Sequence, residues 1–160
     1  METKKAPYIS LEIVPPLKGM TKSELLDEIR QFMVFCPRYI NVTCHRDEIE
    51  YKECPDGTFV KRLVRKRVSE SAVCGAIQSE FKVEVVPHLI CGGANADQIG
   101  FLLQDFKFME ISNVFALRGG TASWEKNASR QYQEVIHTLT NSFGPSGLSK
   151  RITVVKDSST

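Results

Sequence analysis

Four short apolar segments are separated by stretches with helical periodicity: Tyr8–Val14, Tyr39–Thr43, Val83–Ile90 and Asn113–Leu117. Strand-like segments alternating with helical ones imply (β/α) units and a parallel sheet, which excludes most other folds. Each segment ends at or near a polar residue, namely Glu12, Thr43, His88 and Arg118. Side chains of a strand alternate faces with a period of two. On that basis Ile9, Leu11 and Ile13 oppose Ser10, Glu12 and Val14, and Ile40 and Val42 oppose Asn41 and Thr43. Val85 and Leu89 likewise oppose Val86 and His88, and Phe115 and Leu117 oppose Val114, Ala116 and Arg118. The reading gives every strand one apolar face and one mixed face with a polar tip. It collects the chemistry at the carboxyl ends of parallel strands.

The intervening segments carry helix signals. Thr21-Lys-Ser-Glu24 is a capping box, and Leu25, Leu26, Ile29, Phe32 and Met33 follow on one helical face. A second helix is expected over Glu70–Phe81, with Val73, Ile77 and Phe81 four residues apart. Asn95-Ala-Asp-Gln98 is a weaker capping box before Ile99, Leu102, Leu103 and Phe106. A fourth helix is expected from about Asn127 to Phe143, and Ile152–Val155 is a candidate fifth strand in a polar, Gly/Ser-rich tail. His45–Val68 is too long for an ordinary βα loop. Cys54-Pro-Asp-Gly57 lies inside it between strand-like flanks, Glu50–Glu53 and Thr58–Val64, so a hairpin over the carboxyl end of the sheet is expected.

The chain has 160 residues, 42% hydrophobic and 25% charged, with a net charge of +2. That is a globular balance with no global field directing it to nucleic acid or membrane. No apolar run approaches the roughly 20 residues of a membrane span. Five scattered cysteines, Cys36, Cys44, Cys54, Cys74 and Cys91, fit reduced thiols and a cytoplasmic setting better than a disulfide scaffold. Convergence of Cys44, His45, Cys54, His88 and Cys91 on a metal is the alternative, but the paired C-x-x-C spacing common in zinc sites is missing. The basic run Lys61-Arg62 and Arg65-Lys66-Arg67 reads as a solvated face; phosphate or RNA contact would be its other use, without the interleaved aromatics of a single-strand binder.

Glu12 lies inside an otherwise apolar strand. It is either a carboxylate paired with Arg118 or a general acid kept protonated by burial. His88 is either a structural hydrogen-bonder or a donor to a cofactor. Arg118-Gly119-Gly120 ends the last strand, where glycine torsions make a tight turn or let a planar ligand approach. No G-x-G-x-x-G opens a helix, so a dinucleotide fingerprint is lacking.

At these residues the chain resembles a known family. Tyr8-Ile-Ser-Leu-Glu-Ile-Val-Pro-Pro16 is similar to the opening SFEFFPP strand of methylenetetrahydrofolate reductases, and Asn41-Val-Thr43 to their SVTYGA strand. Val86-Pro-His-Leu-Ile-Cys91 resembles APHLTC, and Asn113-Val-Phe-Ala-Leu-Arg-Gly119 resembles NILALRGD. The four motifs occur in the family's order with compatible spacing, from about Tyr8 to Gly119, and the charged hairpin resembles one bacterial subgroup. The resemblance implies a (β/α)8 TIM barrel that binds FAD and uses NAD(P)H to reduce 5,10-methylenetetrahydrofolate to 5-methyltetrahydrofolate. It makes Glu12 the acid that protonates the folate. Thr43 falls where nicotinamide or folate stacks on the flavin, and His88, Arg118 and Gly119 become FAD contacts. Cys44 and Gly120 complete the cofactor-binding set, standing where the family usually carries Tyr and Asp.

A whole barrel needs about 250 residues. Residues 1–143, with four to five βα units, therefore read as the N-terminal half of such a barrel, and residues 144–160 as a polar tail. Two open strand edges predict a homo-oligomer. A non-catalytic half-barrel that pairs with itself and a Cys/His metal-binding α/β domain are the competing readings.

Overall fold

The structure, a computed structural model, describes residues 8–91 and 94–117. Four strands, β1 (Leu11–Ile13), β2 (Tyr39–Val42), β5 (Glu84–Ile90) and β6 (Phe115–Leu117), form one parallel sheet in the order β1-β2-β5-β6. Between β2 and β5 stands an antiparallel hairpin, β3 (Glu48–Glu53) and β4 (Phe59–Val64). The helices are α1 (Lys22–Arg30), α2 (Glu70–Phe81) and α3 (Ala96–Phe108).

The helices begin where side chains can hold their free amides. The Glu24 N–H donates to Thr21 Oγ1 (3.3 Å), and the Glu24 carboxylate accepts from the Thr21 N–H (2.7 Å). At α3 the Gln98 N–H donates to Asn95 Oδ1 (2.8 Å), and the Asn95 N–H donates to Gln98 Oε1 (3.0 Å). Both expected capping boxes are present. The first helix ends earlier than its periodicity suggests. Phe32 and Met33 lie beyond α1, in a turn and a short 3-10 segment that closes at Cys36 with φ +48°. Pro37 follows, and a residue before proline is driven out of the α region.

Register fixes the two faces of the sheet. Leu11 aligns with Ile40 and Val85, Ile13 with Val42 and Pro87, and Leu89 with Ala116. This face is packed by Leu26 and Ile29 of α1, Val73 and Ile77 of α2, and Leu103 and Phe106 of α3. All three helices contribute to this one core. The opposite face carries Glu12 aligned with Asn41 and Val86, then His88 aligned with Phe115 and Ile90 with Leu117.

One expectation is reversed. Val114 and Ala116 are buried in the helix-side core, while Phe115 and Leu117 share the face of His88. All four side chains are apolar, so alternation along that strand carries no facing signal. The facing argument that grouped Ala116 and Arg118 with Glu12 and His88 therefore fails at Ala116. Arg118, Gly119 and Gly120 lie outside the described residues, as do the expected helix over 127–143 and strand over 152–155. The described part is an open α/β sheet with helices on one side. It has the strand order of a partial barrel, without closure. Among the described residues no helix is long and apolar enough to cross a membrane.

Candidate functional site

The sheet face that the described helices leave free gathers Glu12, Asn41, Val86, His88 and Phe115 by register alone. His88 is buried, and its ring lies 4.8 Å from that of Phe115, tilted by 45°. Burial pushes the His88 imidazole below its ordinary value, while the Glu12 charge pulls weakly the other way. Glu12 and His88 stand on β1 and β5 with β2 between them, two strand spacings or roughly 10 Å apart across the sheet.

Glu12 itself is exposed, so the burial expected of it is not found. It makes no ion pair among the described residues. Thr43 stands just past the end of β2, where its N–H and hydroxyl both donate to Ile13 O, at 3.0 and 3.4 Å. Its hydroxyl also lies 3.4 Å from His45 Nδ1. Thr43 thus bridges the ends of β1 and β2 at the rim of this face.

Cys44 turns toward α2 instead. Its thiol donates to Glu70 Oε1 at 3.7 Å, and burial together with the Glu70 charge raises its pKa to about 11. Burial likewise pushes the Cys91 thiol up to about 11, and burial with the Glu70 charge pushes Cys74 up to about 12. Thiols held protonated in this way are poor nucleophiles. Among the described residues no group of three or more His, Cys, Asp or Glu is placed to hold a metal ion.

The hairpin stands at the carboxyl end of the sheet. Its base is stitched to the β1–α1 loop: Lys18 N–H donates to Lys66 O (2.9 Å), Val68 N–H to Pro16 O (3.0 Å), and the Arg67 guanidinium to Pro15 O (2.7 Å). Under it opens a cleft of about 570 Å³, walled by Cys44, Ile90, the start of α2 and the hairpin residues Ile49, Lys61 and Leu63. Ile90 belongs to the face of His88 and is also a wall of this cleft, so the two regions adjoin there.

Sequence reasoning placed Glu12, Thr43 and His88 on one face; register puts Glu12 and His88 there, and Thr43 stands just past the end of β2. It placed Asn41 on that face without giving it a role, and it placed Phe115 on the wrong side. The facing of Asn41 was legible, since it is the polar residue at the facing position of β2. Phe115 was not, because its pairing with His88 depends on register between strands 27 residues apart in sequence.

No curated protein matches the chain. The family model described as methylenetetrahydrofolate reductase matches residues 1–147, reaching well past the last motif noted above. With that match over nearly the whole sequence, and the four motif strands adjacent and parallel in one sheet, the chain belongs to the methylenetetrahydrofolate reductase family.

Proposed function

We propose that the helix-free face of β1, β2, β5 and β6 is the part of a reductase site at which FAD and NAD(P)H convert 5,10-methylenetetrahydrofolate to 5-methyltetrahydrofolate. The observation that carries this reading is that an exposed carboxylate, Glu12, and a buried imidazole, His88, share a sheet face that the described helices leave uncovered.

The family is generally flavin-dependent, and the residues here fit such a group. Val86, Ile90, Phe115 and Leu117 are half-buried and give an apolar bed for a flat ring. His88 offers a ring nitrogen beside that bed, and Thr43 a hydroxyl at its rim. A bound flavin would supply the hydride, and the reduced nicotinamide would replenish it. The chain supplies the proton and the orientation. Glu12 would hold the proton for the nitrogen that is freed as the bridging C–N bond of the substrate opens. His88, held largely neutral, donates or accepts one hydrogen bond without adding charge beneath an electron-rich ring.

The test is a flavin absorbance scan of the purified chain, followed by two assays on Glu12→Gln in a flavin-loaded preparation. Folate reduction is expected to vanish while NAD(P)H oxidation by a quinone acceptor persists. Folate reduction surviving within about tenfold, roughly 1.4 kcal/mol of barrier, would remove Glu12 from the acid role.

A further inference from the structure

The hairpin has one backbone edge to spare. Among the described residues β3 and β4 form a sheet of two strands, so each pairs with the other alone. The base of β4 is tied down, since Lys18 N–H donates to Lys66 O and Leu17 bridges Arg67. β3 has no second neighbour among the described residues, and all six of its residues are exposed.

Hydrogen bonding at the turn tells which groups of β3 face outward. Cys54 N–H donates to Thr58 O at 2.7 Å, and the register runs on from there through Glu53–Phe59 and Lys52–Val60. Bonded and non-bonded pairs alternate along an antiparallel ladder. Glu48, Glu50 and Lys52 therefore turn their amides and carbonyls toward β4, and Ile49, Tyr51 and Glu53 turn theirs to the free edge.

Charge selects what can pair there. A two-fold axis through Tyr51 sets the edge antiparallel to its own copy. Tyr51 then meets the partner's Tyr51, and Ile49 meets the partner's Glu53, so each outward amide finds a carbonyl. The same register opposes Glu50 to the partner's Lys52 and Lys52 to the partner's Glu50, a favourable pair on each side of the axis. Moved to Glu50 or Lys52, the axis would oppose two glutamates or two lysines. Moved to Ile49 or Glu53, it would set Glu48 on Glu50 or Glu53 on itself. An edge lysine ordinarily guards a strand against pairing. Lys52 makes no ion pair within the described residues, and only in the Tyr51 register does it gain one. One face of the ribbon adds a reason to associate, because Ile49, Tyr51, Phe59 and Leu63 on it are each more than half exposed. Two strands alone are marginal, whereas more strands sharing an apolar face are stable.

We infer that β3 is a docking edge for a second copy of this chain, joining the two hairpins in one antiparallel sheet of order β4-β3-β3-β4. The groups it uses lie on the hairpin, none of them on the sheet face proposed for flavin, so it stands or falls apart from the reductase reading.

The test oxidises the full chain carrying Tyr51→Cys with diamide and maps the linked peptides by mass spectrometry. A disulfide joining the two introduced thiols is expected to form readily, since opposed residues of a bonded pair have Cα atoms about 5.5 Å apart, within disulfide range. Glu53→Cys should not link to itself, its two copies standing roughly 14 Å apart in this register. Adding Lys52→Glu to Tyr51→Cys opposes glutamates on both sides of the axis and should slow the cross-link about tenfold at low salt, while Lys52→Arg preserves it. Lys52 is exposed and opposite Val60 within its own hairpin, so neither change breaks a pair there. Absence of the Tyr51→Cys cross-link, equal linking of Glu53→Cys, or a rate indifferent to Lys52→Glu would overturn the inference.

Discussion

His88 is the one buried ionisable group on the proposed ligand face, and its environment makes a thermodynamic commitment. Desolvation lowers its folded-state pKa below the ordinary 6.5, against a weaker opposing pull from Glu12. The unfolded chain therefore binds the proton more readily than the folded one. This contribution to stability is present in full above about pH 6.5 and is lost as pH falls through the lower folded-state value. Urea midpoints of the wild type should drop more steeply from pH 7 to pH 5 than those of His88→Gln. Parallel profiles would mean that His88 is not held neutral by the fold. Phe115 adds to that hold, since its ring shields one side of the imidazole. Phe115→Ala should lessen the steepness by admitting water while leaving the strand in place. At this scale the sequence told which residues are chemically capable. It did not tell which are buried: Glu12 sits between Leu11 and Ile13 in the chain, yet it is open to water because β1 is an edge strand of the described sheet.

Among the elements, those with a local cause were the legible ones. α2 occupies the expected residues because Ser69 caps it, accepting from Ala72 N–H at 3.4 Å, and because its apolar positions recur at helical spacing. The hairpin was legible from its turn: Cys54 N–H donates to Thr58 O (2.7 Å), Gly57 N–H to Cys54 O (2.9 Å), and Gly57 takes φ +78°. Its strand β3 begins two residues before the expected start, since Glu48 gains a partner in Val64 only after β4 has folded back. The facing of β6 was illegible for a different reason, because an apolar run has no alternation to read. One element end can be improved. Lys82 closes α2 in the left-handed region at φ +53°, where a Cβ is strained. Lys82→Gly should stabilise the fold by about 1 kcal/mol, seen as a raised urea midpoint with an unchanged slope. No gain would show that contacts of the lysine stem offset the strain.

For the molecule as a whole, the decisive asymmetry among the described residues is that all three helices pack on one side of a parallel sheet. Parallel sheets occur almost only when both faces are covered. Here the second face offers half-buried Val86, Ile90, Phe115 and Leu117, and β1 has a neighbour on one side alone among the described residues. Beside that open edge runs a groove walled by Glu12, Val14, Met20, Leu25 and Phe32. Val14 and Phe32 are 47% and 48% exposed there, and Ile9, preceding β1, is 50% exposed. Unpaired backbone and an adjoining apolar groove both favour association. The 160-residue chain, of mass 18.0 kDa, should therefore run as a concentration-dependent oligomer in size-exclusion with light scattering. Val14→Lys places a charge on the groove without touching the helix-side core, and it should shift the population toward monomer. Flavin, if it uses the uncovered face, competes with or is completed by that association. Added FAD should accordingly change the oligomer distribution of the wild type, and do so less for Val14→Lys. A species of 18 kDa at every concentration, holding stoichiometric flavin, would show that the described sheet finds its missing wall within the same chain.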